Sequence, residues 1–341
     1  MQKTTLPVIL AAAAVAAAVI LGNHEPRPAM IPKVPIVYSD GYNIRILGIQ
    51  KLHPFDTEKF QEVYDHLVRR CGLRPGSFHA PAPADDRDLL LVHTPEYLRS
   101  LEDSGTIAAI AELPLLRFLP AWLLKKKLLG PMRLATGGTV LASELALRHG
   151  WAINLSGGYH HAKAGSGGGF CYFADIPLAI RKLRMKNEKL RALVIDLDAH
   201  QGNGIESFAG YDKGIYILDV YNKDIYPMDT AVMKYVDRNI RLDSGAGDER
   251  YLKTVAAAVP DAIRRARADI IFYNAGTDIL SGDPLGGMNV SEAGIIKRDE
   301  IVFRSARETG TPIVMVLSGG YTKRSGEIVG KSIENILRLV R

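Results

Sequence analysis

The stretch Ile195-Asp196-Leu197-Asp198-Ala199-His200-Gln201-Gly202-Asn203-Gly204 decides the fold. Three groups able to bind a metal or move a proton, Asp196, Asp198 and His200, recur at every second position, with Ile195, Leu197 and Ala199 between them. Side chains two apart on a strand share a face, so the spacing predicts a strand with a polar side and an apolar side. Gly202 and Gly204 then release the chain into a turn. A strand that ends this way delivers carboxylate and imidazole into the crevice where open α/β sheets bind their ligands.

Outward from this stretch, apolar strands alternate with amphipathic helices. Strands are predicted at Ala152–Leu155, Leu193–Asp198, Ile215–Val220, Ile270–Tyr273 and Ile313–Leu317. Helices are predicted from Met132 to His149, from Asp175-Ile176-Pro177 onward, over Asp248–Ala268 and Ser291–Glu308, and to the C-terminus. This order indicates an α/β fold of three layers, a mostly parallel central sheet covered by helices on both faces. Nearer the N-terminus the pattern gives short strands at Ile36–Tyr38, Ile44–Leu47 and Leu89–Val92. A helix capped by Asp56 or Thr57 carries Phe60, Val63, Tyr64 and Leu67 at helical spacing, and Thr94-Pro95 opens another. Leu113 to Leu129 is apolar but broken by Pro114, Pro120 and Lys125–Lys127, which suits a buried hairpin or an amphipathic flap. No fixed-period repeat or internal linker appears, so residues 36–341 read as one domain.

The chain of 341 residues, 47% hydrophobic and 23% charged, is long enough to bury a large core. Its net charge of +6 is spread along the sequence and the longest basic run is Lys125–Lys127, so no nucleic-acid binding is expected. Two cysteines, Cys71 and Cys171, make neither a disulfide framework nor a cysteine-rich zinc site. From Thr4 to Asn23 no charge occurs, and Leu6 to Leu21 is apolar throughout. Residues 1–23 therefore read as a signal-anchor or transmembrane segment, an apolar helix preceding the domain, with Pro26, Pro28, Pro32 and Pro35 making residues 24–35 an extended tether. Membrane association through residues 4–23 is the expectation; export after cleavage and a cytoplasmic protein that leaves the segment unused are the alternatives.

Each strand that precedes a polar loop ends in glycine and reactive groups. Ser156-Gly157-Gly158-Tyr159-His160-His161 follows one, Asn274-Ala275-Gly276-Thr277-Asp278 another, and Ser318-Gly319-Gly320-Tyr321 the last. Loops at one edge of a parallel sheet converge on a single crevice. There Asp198, His200 and Asp278 can offer three ligands to a divalent ion, leaving a position for water and substrate. His160 and His161 become candidates for moving protons, and Tyr321 for donating to a carbonyl oxygen.

The motifs Tyr159-His160-His161-Ala162, Gly169-Phe170-Cys171-Tyr172, Asp196 to Asn203, Asp278 to Gly286 and Ser318-Gly319-Gly320-Tyr321 resemble those of the zinc-dependent histone deacetylases. Lys51-Leu52-His53-Pro54-Phe55-Asp56, Asp219-Val220-Tyr221-Asn222 and Asn274 to Leu280 resemble the class IV branch in particular. The resemblance implies an arginase/deacetylase-like fold holding one Zn2+ through Asp198, His200 and Asp278. It also implies His161 as general base and acid, His160 as its neighbour oriented by Asp196, and Tyr321 as the oxyanion donor. Phe170 and Tyr226 would wall an acyl-lysine channel, with Leu285 at its rim and Gly169 offering its carbonyl. Asp196 would help to hold a structural K+. Asn203 stands where many relatives carry an aspartate, and a neutral amide does not stabilise an imidazolium as a carboxylate does.

The expected reaction is removal of acetyl or long fatty-acyl groups from lysine in a protein or peptide, with a small acylated amine such as a polyamine as the alternative substrate. A binuclear ureohydrolase shares Asp198-Ala199-His200 but needs a further carboxylate where Gly202 stands. A binding module with lapsed catalysis would be expected to have lost a ligand, the base or the oxyanion donor, and all are present.

Overall fold

Runs of β-branched and aliphatic residues form seven strands among the described residues, all parallel: β1 (Ile36–Val37), β2 (Trp151–Asn154), β3 (Ala192–Asp196), β4 (Ile215–Asn222), β5 (Arg238–Leu242), β6 (Ile270–Asn274) and β7 (Ile313–Val316). Their order across the sheet is β1-β2-β7-β6-β3-β4-β5. The computed structural model describes residues 33–46 and 48–340, so the apolar segment at 4–23 and most of the tether lie outside the described residues. Among those described, no helix is long and apolar enough to cross a membrane.

Strand alternation builds two cores. On β3, Ala192 and Val194 pack into a cluster with Leu145 and Ala146 of helix Gly130–His149 and Ile176 and Ile180 of helix Asp175–Arg184. Leu193 and Ile195 point the other way, into a cluster with Val255 and Val259 of helix Asp248–Ala266, Val302 and Phe303 of Glu292–Thr309, and Ile333 and Ile336 of Ser325–Val340. This is the expected three-layer arrangement, a sheet too apolar on both faces to be left uncovered.

Several local expectations are corrected. β3 stops at Asp196, so Asp198 and His200 lie beyond the ladder. The alternation survives as a string of turns instead, in which Asp196 accepts the Asp198 N–H (3.2 Å) and Asp198 accepts the His200 N–H (3.0 Å). No strand forms at Ile44–Leu47 over its described residues, because side chains take its donors: Thr57 Oγ1 accepts from Ile44 N–H and Gln50 Oε1 from Ile46 N–H. Leu89–Val92 is not a strand either. Asp85 caps the short helix Asp86–Leu89, and the turns that follow leave Leu90 and Leu91 at the surface. The segment 113–129 forms no hairpin: a 3-10 turn at Pro114–Phe118 and helix Ala121–Leu124 run through Lys125–Leu129 into the long helix Gly130–His149. It is amphipathic, with Leu116, Leu124 and Leu128 buried and Leu115, Phe118 and Trp122 exposed. β5 escaped sequence reading because an edge strand needs no continuous apolar run, and Arg238, Asn239 and Arg241 interrupt this one. Cys71 and Cys171 are not joined by a disulfide.

One buried cation fixes the sheet edge that matters. Arg298, fully buried, donates from Nη1 to Leu197 O (3.3 Å) and Gly276 O, from Nη2 to Ala275 O (3.2 Å), and from Nε to Asp299 Oδ1 (2.8 Å). It thereby ties the carbonyls just beyond β3 and β6 together. Asp299 accepts in turn from Tyr273 and Ser332. Removing one member of a buried ion pair strands the other charge, so Arg298→Met is expected to cost about 3–5 kcal/mol of unfolding free energy. Denaturant midpoints check this, and a loss under about 1 kcal/mol would contradict it.

Candidate active site

The exits of β3 and β6 bring three potential ligands together. Asp198, His200 and Asp278 are buried, and one donor atom from each lies within 4.8 Å of the others. His200 Nδ1 is 3.1 Å from Asp198 Oδ1 and 3.0 Å from Asp278 Oδ2. Backbone donors set the carboxylates: Gly319 N–H reaches Asp198 Oδ2 at 3.0 Å, and Ala199 N–H reaches Asp278 Oδ1 at 2.9 Å. Two glycines are obligatory here. A Cβ on Gly276 would stand 2.1 Å from Asp198 Oδ2, and one on Gly319 would stand 2.3 Å from Asp278 Oδ2.

The electrostatics call for a cation. Burial and the neighbouring Asp198 charge push the Asp278 carboxyl above its usual range. Burial opposes a charge on His200, yet its bonds to Asp198 and Asp278 outweigh that and raise its pKa to about 10. Two carboxylates and an imidazole, all buried and converging, suit a divalent ion in place of that proton, and three donors leave room for water and substrate. A second group of metal-type donors, His66, Cys71 and Glu334, is only half-buried, and Glu334 is already paired to His66 (3.0 Å) and Arg338.

The two histidines of the β2 exit have separate partners. His160 Nδ1 pairs with Asp196 Oδ2 at 2.9 Å, while Asp196 Oδ1 accepts from Asn274 at 2.8 Å. Burial opposes its charge, but Asp196 and Asp198 prevail and lift its pKa to about 9. His161 Nδ1 meets Asn203 Oδ1 at 2.9 Å instead. Burial, followed by the charges of His160 and His200, holds His161 well below the ordinary histidine value. The ring centroids are 4.0 Å apart, yet the surroundings shift the two imidazoles in opposite directions, His160 upward and His161 downward.

Around this pair lies a chamber lined by His160, His161, Gly169, Phe170, Phe55 and Tyr321. The His161 and Tyr321 rings stand 5.9 Å and 6.1 Å from the His200 ring. Phe170 packs against Tyr321 at 6.0 Å, and Tyr226, half-exposed, against His161 at 5.0 Å. Gly169 has φ +50°, and a Cβ there would lie 2.4 Å from His161 Cδ2. The structure therefore brings together Asp196, Asp198, His200, Asp278, His160, His161, Asn203, Gly169, Phe170, Tyr226 and Tyr321. Leu285 is half-buried in the loop after Asp278, and its N–H donates to Asp283 Oδ1 (3.0 Å), whose Oδ2 accepts the Tyr321 N–H (2.8 Å).

Sequence reasoning passed over four contributors. Asp283 links the Leu285 and Tyr321 backbones, Asn274 braces Asp196, and Asp229 accepts from Lys163 (2.6 Å) and Asn203 (3.4 Å). Lys59 is buried and donates to Ser318 O (2.7 Å) and Gly319 O (3.1 Å); burial lowers its pKa to about 8. Lys59 was detectable as a lysine next to Phe60 on an apolar helical stripe, Asp283 as part of Asp278–Gly286 and Asn274 as the first residue of the Asn274–Asp278 loop; Asp229 carried no pattern of its own.

A parallel α/β sheet with a buried Asp-His-Asp donor set, paired histidines and a tyrosine at its C-terminal edge defines a metal-dependent hydrolase of the amide-cleaving kind. Residues 53–339 match the family described as the histone deacetylase domain, and the chain belongs to that family. It is 46% identical over 308 residues to Histone deacetylase 2 of Arabidopsis thaliana, covering 90% of this chain and 80% of the relative. An uncharacterized protein of Picosynechococcus is 30% identical over 295 residues, covering 86% and 94%. The crystal structure of the HDA15 HD domain shares the fold, with TM-score 0.70 and 18% identity over 91% of this chain and 89% of that one.

Asn203→Asp places a carboxylate against His161 and favours its imidazolium. The acid limb of the pH-rate profile, which reports protonation of the base, is expected to move to higher pH. A limb that stays in place contradicts the reading of His161 as a base kept neutral by Asn203.

Proposed function

We propose that the protein is a zinc-dependent deacylase of the class IV type, hydrolysing acyl-lysine amides. The observation that carries this reading is the buried Asp198-His200-Asp278 set, with His161 and Tyr321 flanking His200 and the rings of Phe170 and Tyr226 beside them. One Zn2+ held there supplies the Lewis acidity that makes water nucleophilic at neutral pH and polarises the amide carbonyl. His161 takes the proton of the attacking water through Nε2, its Nδ1 being engaged by Asn203. It returns that proton to the lysine nitrogen as the C–N bond breaks, leaving a carboxylic acid and a free amine, which by proton exchange leave as carboxylate and ammonium. The Tyr321 hydroxyl, which makes no hydrogen bond among the described residues, donates to the developing oxyanion. His160, held by Asp196 at 2.9 Å, stands beside the base as its second histidine. Phe170 and Tyr226 hold the lysine stem, Gly169 accepts from the substrate amide, and Leu285 sits at the rim.

Next to Asp196 the buried carboxylates of Asp219 and Glu206 each keep an oxygen without a partner, and burial raises both above the carboxylate range. Asp219 is the cross-strand partner of Asp196. Unpartnered buried oxygens of this kind support a structural K+ beside Asp196.

Acyl length follows from what lies behind Phe170. An apolar cavity of about 50 Å³ shares Phe55 and Phe170 with the chamber and is walled by Ile44, Ile46, Leu113, Leu116, Leu128 and Met132. Its size suits the first carbons beyond the acetyl group. The purified protein is expected to carry one zinc per chain and to lose turnover on chelation. Tyr321→Phe should lower kcat by about 100- to 1000-fold, the usual cost of one oxyanion donor. Comparing acetyl-lysine, octanoyl-lysine, myristoyl-lysine and acetylpolyamine tests the substrate class. Leu113→Trp should depress turnover of the longer acyl groups while sparing acetyl-lysine, and an equal effect on all would exclude the cavity.

The uncharged residues 4–23 support a membrane-associated protein, and exposed Leu115, Phe118 and Trp122 beside Lys125–Lys127 supply the aromatic and basic groups that suit a lipid headgroup layer. The full chain is expected in the membrane fraction, and a chain lacking residues 1–23 should be largely released. Recovery of the full chain as soluble protein would exclude the anchor.

A further inference from the structure

The side-chain amide of Asn203 can face His161 in either of two senses, and the sense decides which ring nitrogen of the base carries the proton. With Oδ1 toward His161 the amide accepts, so Nδ1 holds the proton and Nε2 keeps the lone pair. With the NH2 group toward His161 it donates, and the neutral ring must protonate Nε2, which then has no lone pair to offer. Nothing in the Asn203–His161 contact alone favours the first arrangement.

The bias comes from the far side of the amide. Asn203 Nδ2 faces Asp229 Oδ2 at 3.4 Å, and Lys163 Nζ donates to that same oxygen at 2.6 Å. An ionised carboxylate only accepts, so reversing the amide would set oxygen against oxygen. Asp229 is ionised, its pKa lowered chiefly by the bond from Lys163. It is also firmly held. Its N–H donates to Gln201 Oε1 (2.9 Å), its carbonyl accepts from Gln201 Nε2 (3.0 Å), and Oδ1 accepts the Ala231 N–H (3.2 Å). Lys163, Gln201 and Asp229 come from the loops beyond β2, β3 and β4, and the last of these loops also carries Tyr226.

From this we infer that Asp229 is a positioning residue: by fixing the direction of the Asn203 amide it holds His161 in the tautomer protonated at Nδ1. The inference rests on the reading of His161 as the base, and two separate readouts keep them apart. In 15N NMR of the full chain carrying its metal, neutral His161 is expected as the Nδ1–H tautomer, and Asp229→Ala should populate the Nε2–H form. kcat should fall by about ten- to a hundredfold with KM little changed, the usual scale for residues that orient a functional group. Asp229→Asn, whose amide oxygen can still accept from Asn203 Nδ2, should retain most of the activity. In an Asn203→Asp background the carboxylate has no donor to present, so adding Asp229→Ala should cost little further. An unchanged tautomer in Asp229→Ala, or the same kcat loss in both backgrounds, overturns the inference. A changed tautomer with full kcat sustains the positioning role and overturns His161 as the base.

Discussion

Two carboxylates, Asp198 and Asp278, are buried together against one imidazole, and that unfavourable arrangement is the constraint on which this sheet edge depends. Both are buried, and both draw on backbone N–H groups and on His200. Like charges in a low-dielectric interior persist only when the surrounding frame holds them and a cation answers them. The frame is backbone: Gly276 and Gly319 admit main chain where any Cβ would collide with a carboxylate oxygen.

The same demand explains the buried cations further out. Arg298 and Lys59 bind carbonyl oxygens, of Leu197, Ala275 and Gly276 in one case and of Ser318 and Gly319 in the other. All five carbonyls belong to the loops that carry Asp198, Asp278 and Tyr321. A loop whose N–H groups turn toward carboxylates leaves its C=O groups pointing away, and buried carbonyls need donors as much as N–H groups need acceptors. The two cations therefore complete the hydrogen bonding of the site from outside. They connect it to helices Glu292–Thr309 and Lys59–Cys71, so ligand geometry is tied to the packing of the layers.

Most of the fold was legible because parallel strands buried on both faces must be nearly continuous apolar runs, as in Leu193-Val194-Ile195 and Ile270-Ile271-Phe272. The errors fell where tertiary partners overrule local pattern. Ile44 and Ile46 look like a strand, but Thr57 and Gln50 supply acceptors that no neighbouring strand provides. The Asp196-Asp198-His200 periodicity predicted the right grouping through the wrong geometry, since turns closed by the aspartates themselves, not a ladder, keep the groups together. The site's reactive residues were visible in glycine-rich loops, whereas Asp229 was not, and Asn274 was visible as a loop residue without its partner Asp196. Their significance lies in contacts 26 and 78 residues away in sequence, and no period or spacing encodes those.

The pair His160 and His161 shows why one histidine has a carboxylate partner and the other an amide. Two unit positive charges 4 Å apart repel by about 4 kcal/mol at an effective dielectric constant of 20. Rings whose centroids are 4.0 Å apart cannot both be charged cheaply, and the cation site beside them raises the cost. Asp196 commits the charge to His160. A second carboxylate at position 203 would work against that division, while Asn203 keeps the hydrogen bond to Nδ1 and leaves His161 neutral. A carboxylate has no wrong way round and an amide does. The neutral partner therefore brings a requirement that a charged one would not, namely that something else fix the amide's direction. Asp229 lies where that requirement is met, tied by Lys163 and Gln201 to the loops that carry the paired histidines and the Asp198-His200 donors.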